Sequence, residues 1–226
     1  MEVRDALRAR YSARAFLDTP VSEETIRAIL ADAARAPSGG NLQPWLVNVV
    51  TGKARRAVID AVQAKIAADP FGDEHPFPVY PEKLWEPYRS RRFDLGEQMY
   101  AAIGIPRENK PARLAHLMRN LDFFGAPMGL IFSLDRKMNP NQWAHLGMFM
   151  LAVSLAAQDR GLATCMQEAW TRFSETLRVA LKLPEDRIVY CGMALGFADT
   201  DAPINQWRSE RADVDEFAKF EGFGKP

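Results

Sequence analysis

The chain has 226 residues, 47% hydrophobic and 26% charged, an ordinary globular balance for one large domain or one domain with an inserted subdomain. Lys plus Arg and Asp plus Glu both number 29, so the formal net charge is zero and nothing electrostatic argues for nucleic acid or an acidic membrane surface as partner. No run reaches about 18 apolar residues and the N-terminus lacks an apolar signal core, so the expectation is a cytoplasmic protein without a membrane span.

Residues 2–10 place Val3, Ala6 and Leu7 on one face and predict a short helix. It leads into Arg10-Tyr11-Ser12-Ala13-Arg14-Ala15-Phe16. Ser22 suits the N-cap of a helix over about 22–35, with Glu23 and Glu24 in its first turn. Next comes Ala36-Pro37-Ser38-Gly39-Gly40-Asn41-Leu42-Gln43-Pro44-Trp45. Here two prolines fix φ and remove amide donors, and two glycines permit unusual backbone angles. Ser38, Asn41 and Gln43 add polar side chains. A plain connection needs only about four to six residues, so this stretch suggests a rigid ledge for a flat polar ligand. Residues 45–50 predict a strand and 53–68 a helix, with Val58, Val62 and Ile66 on one face.

Residues 69–84 are broken by Pro70, Pro76, Pro78 and Pro81. Helices are predicted over 84–102, despite Pro87, and over 111–124. The block 69–124 is aromatic, Pro-punctuated and locally basic, and is too long for a loop; it reads as a helical lid-like insertion in a single domain spanning 1–226. A strand over 126–134 and a helix from Asn139 or Asn141 to about 160 follow, with Gly161 ending the helix. That helix is apolar almost all round, as expected for the centre of a core or a dimer seam. A strand over 162–169, a helix over 173–181 and a strand over 187–197 complete the pattern, and a polar helix is expected in the tail. Strands alternating with helices make a mixed α/β layer the default.

No nucleophile–base pair, His-carboxylate cluster or GxGxxG turn stands out, so neither a catalytic side chain nor a metal site is expected. Cys165 and Cys191 lie in apolar runs and read as small core residues. What remains is a polar inventory of arginines, hydroxyls and amides. Such a set suits a bound cofactor that carries its own chemistry.

Arg10-x-Ser12-x-Arg14-x-Phe16 and Ala36-Pro37-Ser38-Gly39-x-Asn41-x-Gln43-Pro44-Trp45 resemble the nitroreductase family of flavoproteins. Gly161-Leu162-Ala163-Thr164-Cys165-x-x-Glu168 and Leu195-Gly196-Phe197 with Pro203-x-Asn205 and Arg208-Ser209-x-Arg211 resemble it too, in the same order over nearly the whole chain. The resemblance implies an α+β fold: a mixed, mainly antiparallel central sheet flanked by helices, in an intertwined homodimer with FMN at the interface. It implies that Arg10, Ser12 and Arg14 contact FMN, and that Pro37, Ser38, Gly39 and Asn41 reach it from the partner subunit. Backbone at Gln167, Glu168 and Ala169 would face the flavin, and Arg211, with Arg208, would hold the phosphate. The implied activity is ping-pong reduction of nitroaromatic or quinone-like acceptors by NADH or NADPH. Reductive dehalogenation, dehydrogenation and flavin binding without turnover are the alternatives. Trp85, Tyr88, Arg89, Arg91 and Arg92 of the insertion are candidates to line the substrate side.

Overall fold

The computed structural model describes residues 1–74 and 77–223. The break expected at His75-Pro76 lies outside them. In chain order the helices and strands are α1 (Val3–Ala9), α2 (Glu23–Ala33), β1 (Leu46–Thr51), α3 (Gly52–Ala68), α4 (Tyr88–Ala102) and α5 (Lys110–Met118). There follow β2 (Met128–Asp135), α6 (Pro140–Asp159), β3 (Ala163–Gln167), α7 (Ser174–Ala180), β4 (Arg187–Gly196), α8 (Pro203–Gln206) and α9 (Val214–Phe217).

Among the described residues the strands form one sheet in the order β1-β2-β4-β3, with every neighbouring pair antiparallel. The alternation of strands and helices, which suggested an α/β layer, therefore builds an α+β sheet. β2 and β3 run in the same direction, joined by α6, but β4 enters between them and opposes both. The parallel element is a bridge between Ser12 and Thr164 at the sheet edge.

Both faces of the sheet are covered, which is why β2 and β4 read as nearly continuous apolar runs. On one face Leu130, Phe132 and Leu134 pack with α2 and α6 through Ile29, Leu146 and Val153. On the other, Ile131, Val189 and Ala194 pack with Val58 and Val62 of α3, Leu177 of α7 and the ring of Trp170.

Several boundaries differ from expectation for local reasons. α4 starts after Pro87, not at residue 84, because proline there cannot continue a preceding turn. The helix expected over 111–124 ends at Met118 and passes into a 3₁₀ segment, Arg119–Gly125, in which Phe123 and Phe124 take φ of 58° and 53°. Those strained angles turn both rings into the core, where they are fully buried. β3 stops at Gln167 and a 3₁₀ segment, Glu168–Phe173, carries the chain into α7. The polar helix expected in the tail is reduced to the single turn of α9, begun by the capping box of Asp213 and Glu216.

The 3₁₀ segment after β3 is held by a ring seated on a gap in the sheet. Trp170 stacks on Phe123 at 4.4 Å between centroids and lies over Gly192. A Cβ at Gly192 would stand 2.2 Å from Trp170 Cδ1. Gly192→Ala is expected to destabilise the fold by roughly 2–3 kcal/mol through overpacking, read as a shift in the urea midpoint at unchanged slope. A change below about 0.5 kcal/mol would show that this gap is not what seats the indole.

Candidate functional site

The segment after α1 does not fold back into a helix; it is strapped along the exposed edge of β3. Ala13 N donates to Thr164 O at 3.0 Å, and Leu17 N donates to Phe197 O at 2.9 Å. Asn205, buried at the first turn of α8, closes the strap from the other side. Its Oδ1 accepts from Arg14 N at 2.8 Å, while its Nδ2 donates to Ala15 O at 2.7 Å and Asp199 O at 2.8 Å. One amide side chain thus satisfies three backbone groups and joins parts of the chain about 190 residues apart.

That strap brings the early and late arginines together. Arg8, Arg10, Arg14, Arg208 and Arg211 line one cleft of ≈ 590 Å³ with Tyr11, Ser12, Trp207 and Ser209, and no carboxylate is among its lining residues. None of the five guanidinium groups forms an ion pair among the described residues. The Arg208 guanidinium carbon stands 3.7 Å from the Tyr11 ring centroid. Arg14 donates to Ser12 O at 3.2 Å, and Arg211 donates to Ser209 Oγ at 2.5 Å. Burial, and then the nearby charge of Arg211, hold the Arg10 guanidinium below the ordinary arginine range. Five uncompensated cations in a partly sheltered cleft lower their mutual repulsion only by taking an anion, and guanidinium forks match phosphate geometry.

A second cleft, of ≈ 650 Å³, opens at the other end of β3. Gln167, Glu168 and Ala169 form one wall; Met118, Met150, Met166 and Gly147 add apolar surface, and Tyr80 and Arg92 stand at its side. Thr164, beside Ser12, and Gln167 are three residues apart on β3, or about 10 Å at strand rise. An elongated ligand with an anionic end and a flat body fits that layout. The Gln167 side chain is spent on the fold: its Nε2 donates to Asn120 O at 2.8 Å and its Oε1 accepts from Trp170 Nε1 at 3.3 Å. Any ligand contact at this position falls to the backbone.

The ledge is irregular as expected, with φ of 59° at Gly40, 55° at Asn41 and 47° at Gln43. Part of its polarity is used internally: Ser38 Oγ accepts from Gln43 N at 3.0 Å. It rests on α6, where Gly39 N donates to His145 Nε2 at 3.3 Å. Neither cleft takes a lining residue from Pro37, Ser38, Gly39 or Asn41 within one chain. Arg10, Ser12, Arg14, Arg208 and Arg211 therefore converge; Gln167, Glu168 and Ala169 lie at the adjoining cleft; the ledge stands apart.

The candidates in the insertion separate in the same way. Trp85 and Tyr88 pack edge to face at 5.4 Å on the surface. Arg89 is paired with Glu86 at 2.6 Å and Arg91 with Glu216 at 2.9 Å. Arg92 lines the second cleft. The sequence offers Asn205 only as a motif residue with no role of its own, and nothing in local spacing points to His145 or to the Tyr11 ring.

A family model described as the nitroreductase family matches residues 7–197. The chain is 39% identical over 218 residues to nitrobenzene nitroreductase of Ectopseudomonas oleovorans, covering 96% of each. It is 36% identical over 217 residues to 4-nitrobenzoate reductase of Pseudomonas putida, covering 96% of this chain and 94% of the relative. The crystal structure of the FMN and NADPH-dependent nitroreductase NfnB from Sphigopyxis sp. strain HMH superposes with a TM-score of 0.96 at 43% identity, covering 99% of this chain and all of the other.

Two substitutions test how the site is held. Asn205→Leu leaves three backbone groups without their partner and is expected to cost on the order of 3 kcal/mol in urea unfolding; a cost under about 1 kcal/mol would mean that the strap holds without it. His145→Leu removes the acceptor from Gly39 N–H, so hydrogen exchange at the Gly39 amide should speed up by roughly tenfold while α6 amides stay protected. Unchanged exchange at Gly39 would show that the ledge does not depend on this bond.

Proposed function

This chain belongs to the nitroreductase family, and from that premise we propose that it is an FMN-dependent oxidoreductase that uses NADPH or NADH to reduce nitroaromatic compounds. The observation that carries this reading is the cleft of five unpaired arginines at one end of β3, continuous in layout with a second, largely apolar cleft at the other end. Bound FMN would supply the redox chemistry, as a two-electron carrier between nicotinamide and acceptor.

The chain's own groups bind and orient. Arg10, Ser12 and Arg14 would contact the phosphate, ribityl chain and pyrimidine edge, and Arg211, with Arg208, would hold the phosphate. Backbone at Gln167, Glu168 and Ala169 would face the flavin from the second cleft. A cation at the pyrimidine edge would favour the anionic reduced cofactor over the neutral oxidised one. No acid or base side chain is required at the reacting atoms. The net reaction is ArNO₂ + NADPH + H⁺ → ArNO + NADP⁺ + H₂O. The nicotinamide gives two electrons and one proton, solvent gives the second proton, and water carries off the oxygen. Reductant and acceptor use the same cleft in turn, so the kinetics are ping-pong, and flat quinones fit the same requirements.

A second copy of the chain completes the site. α6 leaves Met148 and Leu151 exposed at 47% and 39%, in line with the half-buried Leu155. An apolar stripe beside the ledge supports an isologous pairing that carries Pro37, Ser38, Gly39 and Asn41 of one protomer toward the flavin of the other. The segment 69–124 then serves as the lid over the acceptor. Buried free thiols at Cys165 and Cys191 agree with a cytoplasmic setting.

The test is anaerobic stopped-flow on the purified protein loaded with FMN. NADPH or NADH should bleach the flavin band, and nitrobenzene should restore it. Arg211→Gln should raise the FMN Kd by ~10- to 100-fold, since one charge-assisted contact is worth about 1.5–3 kcal/mol. A protein that takes up no FMN, or whose bound flavin neither nicotinamide reduces, overturns the reading.

A further inference from the structure

The middle of the insertion carries three arginines within four positions, Arg89, Arg91 and Arg92, and the structure treats them differently. Arg89 is neutralised at the start of α4 by Glu86, which also accepts from Ser90 Oγ at 2.6 Å. Arg91 is neutralised by Glu216 of α9 and ties the insertion to the tail. Arg92 has no carboxylate partner among the described residues. Its guanidinium carbon lies 4.4 Å from the Tyr80 ring centroid, so the aromatic face orients the charge without cancelling it. Both groups line the second cleft, as do Gln167, Glu168 and Ala169.

Two other charged side chains line this cleft, Arg172 and Glu168. Arg172 also lines it, but its Nη2 donates to Pro70 O at 3.3 Å and Phe71 O at 3.0 Å, which anchors the start of the insertion. Glu168 lines it too, its carboxyl pushed above the ordinary carboxylate range by loss of hydration, and it forms no ion pair with Arg92 among the described residues. Met118, Met150 and Met166 also line it, side chains that adapt to a flat ring. An apolar lining with the Arg92 guanidinium held over Tyr80, unspent on any carboxylate or carbonyl among the described residues, favours an aromatic ring with a carboxylate at one end.

We propose that Arg92, oriented by Tyr80, is the specificity determinant that selects aromatic acids, nitrobenzoates among them, over neutral nitroarenes at the acceptor cleft. The inference rests on the nitroreductase reading and names a substrate class for the same site. The bidentate geometry of guanidinium with carboxylate supplies the discrimination, and an uncharged ring meets the methionine lining alone.

The experiment compares steady-state kcat/KM for 4-nitrobenzoate, 4-nitrobenzamide and nitrobenzene in the FMN-loaded protein. Wild type, Arg92→Ala, Arg92→Lys, Tyr80→Leu and Arg89→Ala are measured, together with the rate of flavin reduction by NADPH and by NADH. The expected result is that Arg92→Ala lowers the ratio of 4-nitrobenzoate to 4-nitrobenzamide by on the order of tenfold. Arg92→Lys should recover part of it, Tyr80→Leu should lose part, and Arg89→Ala should keep the wild-type ratio. A ratio that stays within twofold in Arg92→Ala overturns the proposal while leaving the nitroreductase reading intact. So does a loss that falls on NADPH and spares NADH, because the guanidinium would then be reading the nicotinamide nucleotide's phosphate. A wild-type protein that reduces none of the three nitro compounds overturns both.

Discussion

The site depends on holding like charges side by side. Five guanidinium groups share a cleft, none compensated by a carboxylate, and left to themselves they would move apart. What prevents this is backbone bonding with no charge in it. The Ser12–Thr164 bridge fixes the early segment on β3, and the Asn205 amide locks it to the loop ahead of α8. The repulsion is a cost of bringing these groups together, and an anion among them would offset it. A clamp of neutral hydrogen bonds holds that geometry.

The sheet performs a second task, which is to place a bend. β3 must stop at Gln167 so that the next residues can present backbone to the second cleft. Trp170 enforces the stop by seating on Gly192 and against Phe123, whose own unusual backbone angle aims its ring inward. Gln167 spends its side chain on Asn120 and Trp170, which leaves the peptide as the group available outside. Core packing and site chemistry thus meet at the same three aromatic and amide side chains.

The insertion between α3 and β2 is held differently. Its root is pinned by Asp73, which accepts from Thr176 N at 2.7 Å and Thr176 Oγ1 at 3.0 Å, and by Arg172 on the carbonyls of Pro70 and Phe71. Farther out, α4 relies on ion pairs such as Glu97–Arg113 and Arg91–Glu216 and buries no residue. Exposed pairs of this kind contribute about 0–1 kcal/mol each. The insertion is thus firmly rooted at its start and loosely held farther out.

Much of this was legible in the residues. The cap at Ser22, the apolar runs of the strands and the stop at Gly161 are local instructions, and local chemistry is what a sequence states directly. The arginines, hydroxyls and ledge could be named as ligand-binding because their types are ill suited to a core. Their assembly was another matter. That Arg10 and Arg211 share a cleft, that Arg92 has no carboxylate partner among the described residues while Arg89 and Arg91 do, and that Phe123 fills the gap over Gly129 and Trp170 the gap over Gly192 all depend on contacts between distant segments. Asn205 is the clearest case: in sequence it is one amide in a polar tail, and only burial, which removes water as an alternative partner, makes its three hydrogen bonds decisive. The sequence determined which elements form and which side chains were left over for chemistry; the tertiary structure decided which of those side chains meet, because pairing and desolvation are properties of neighbours in space.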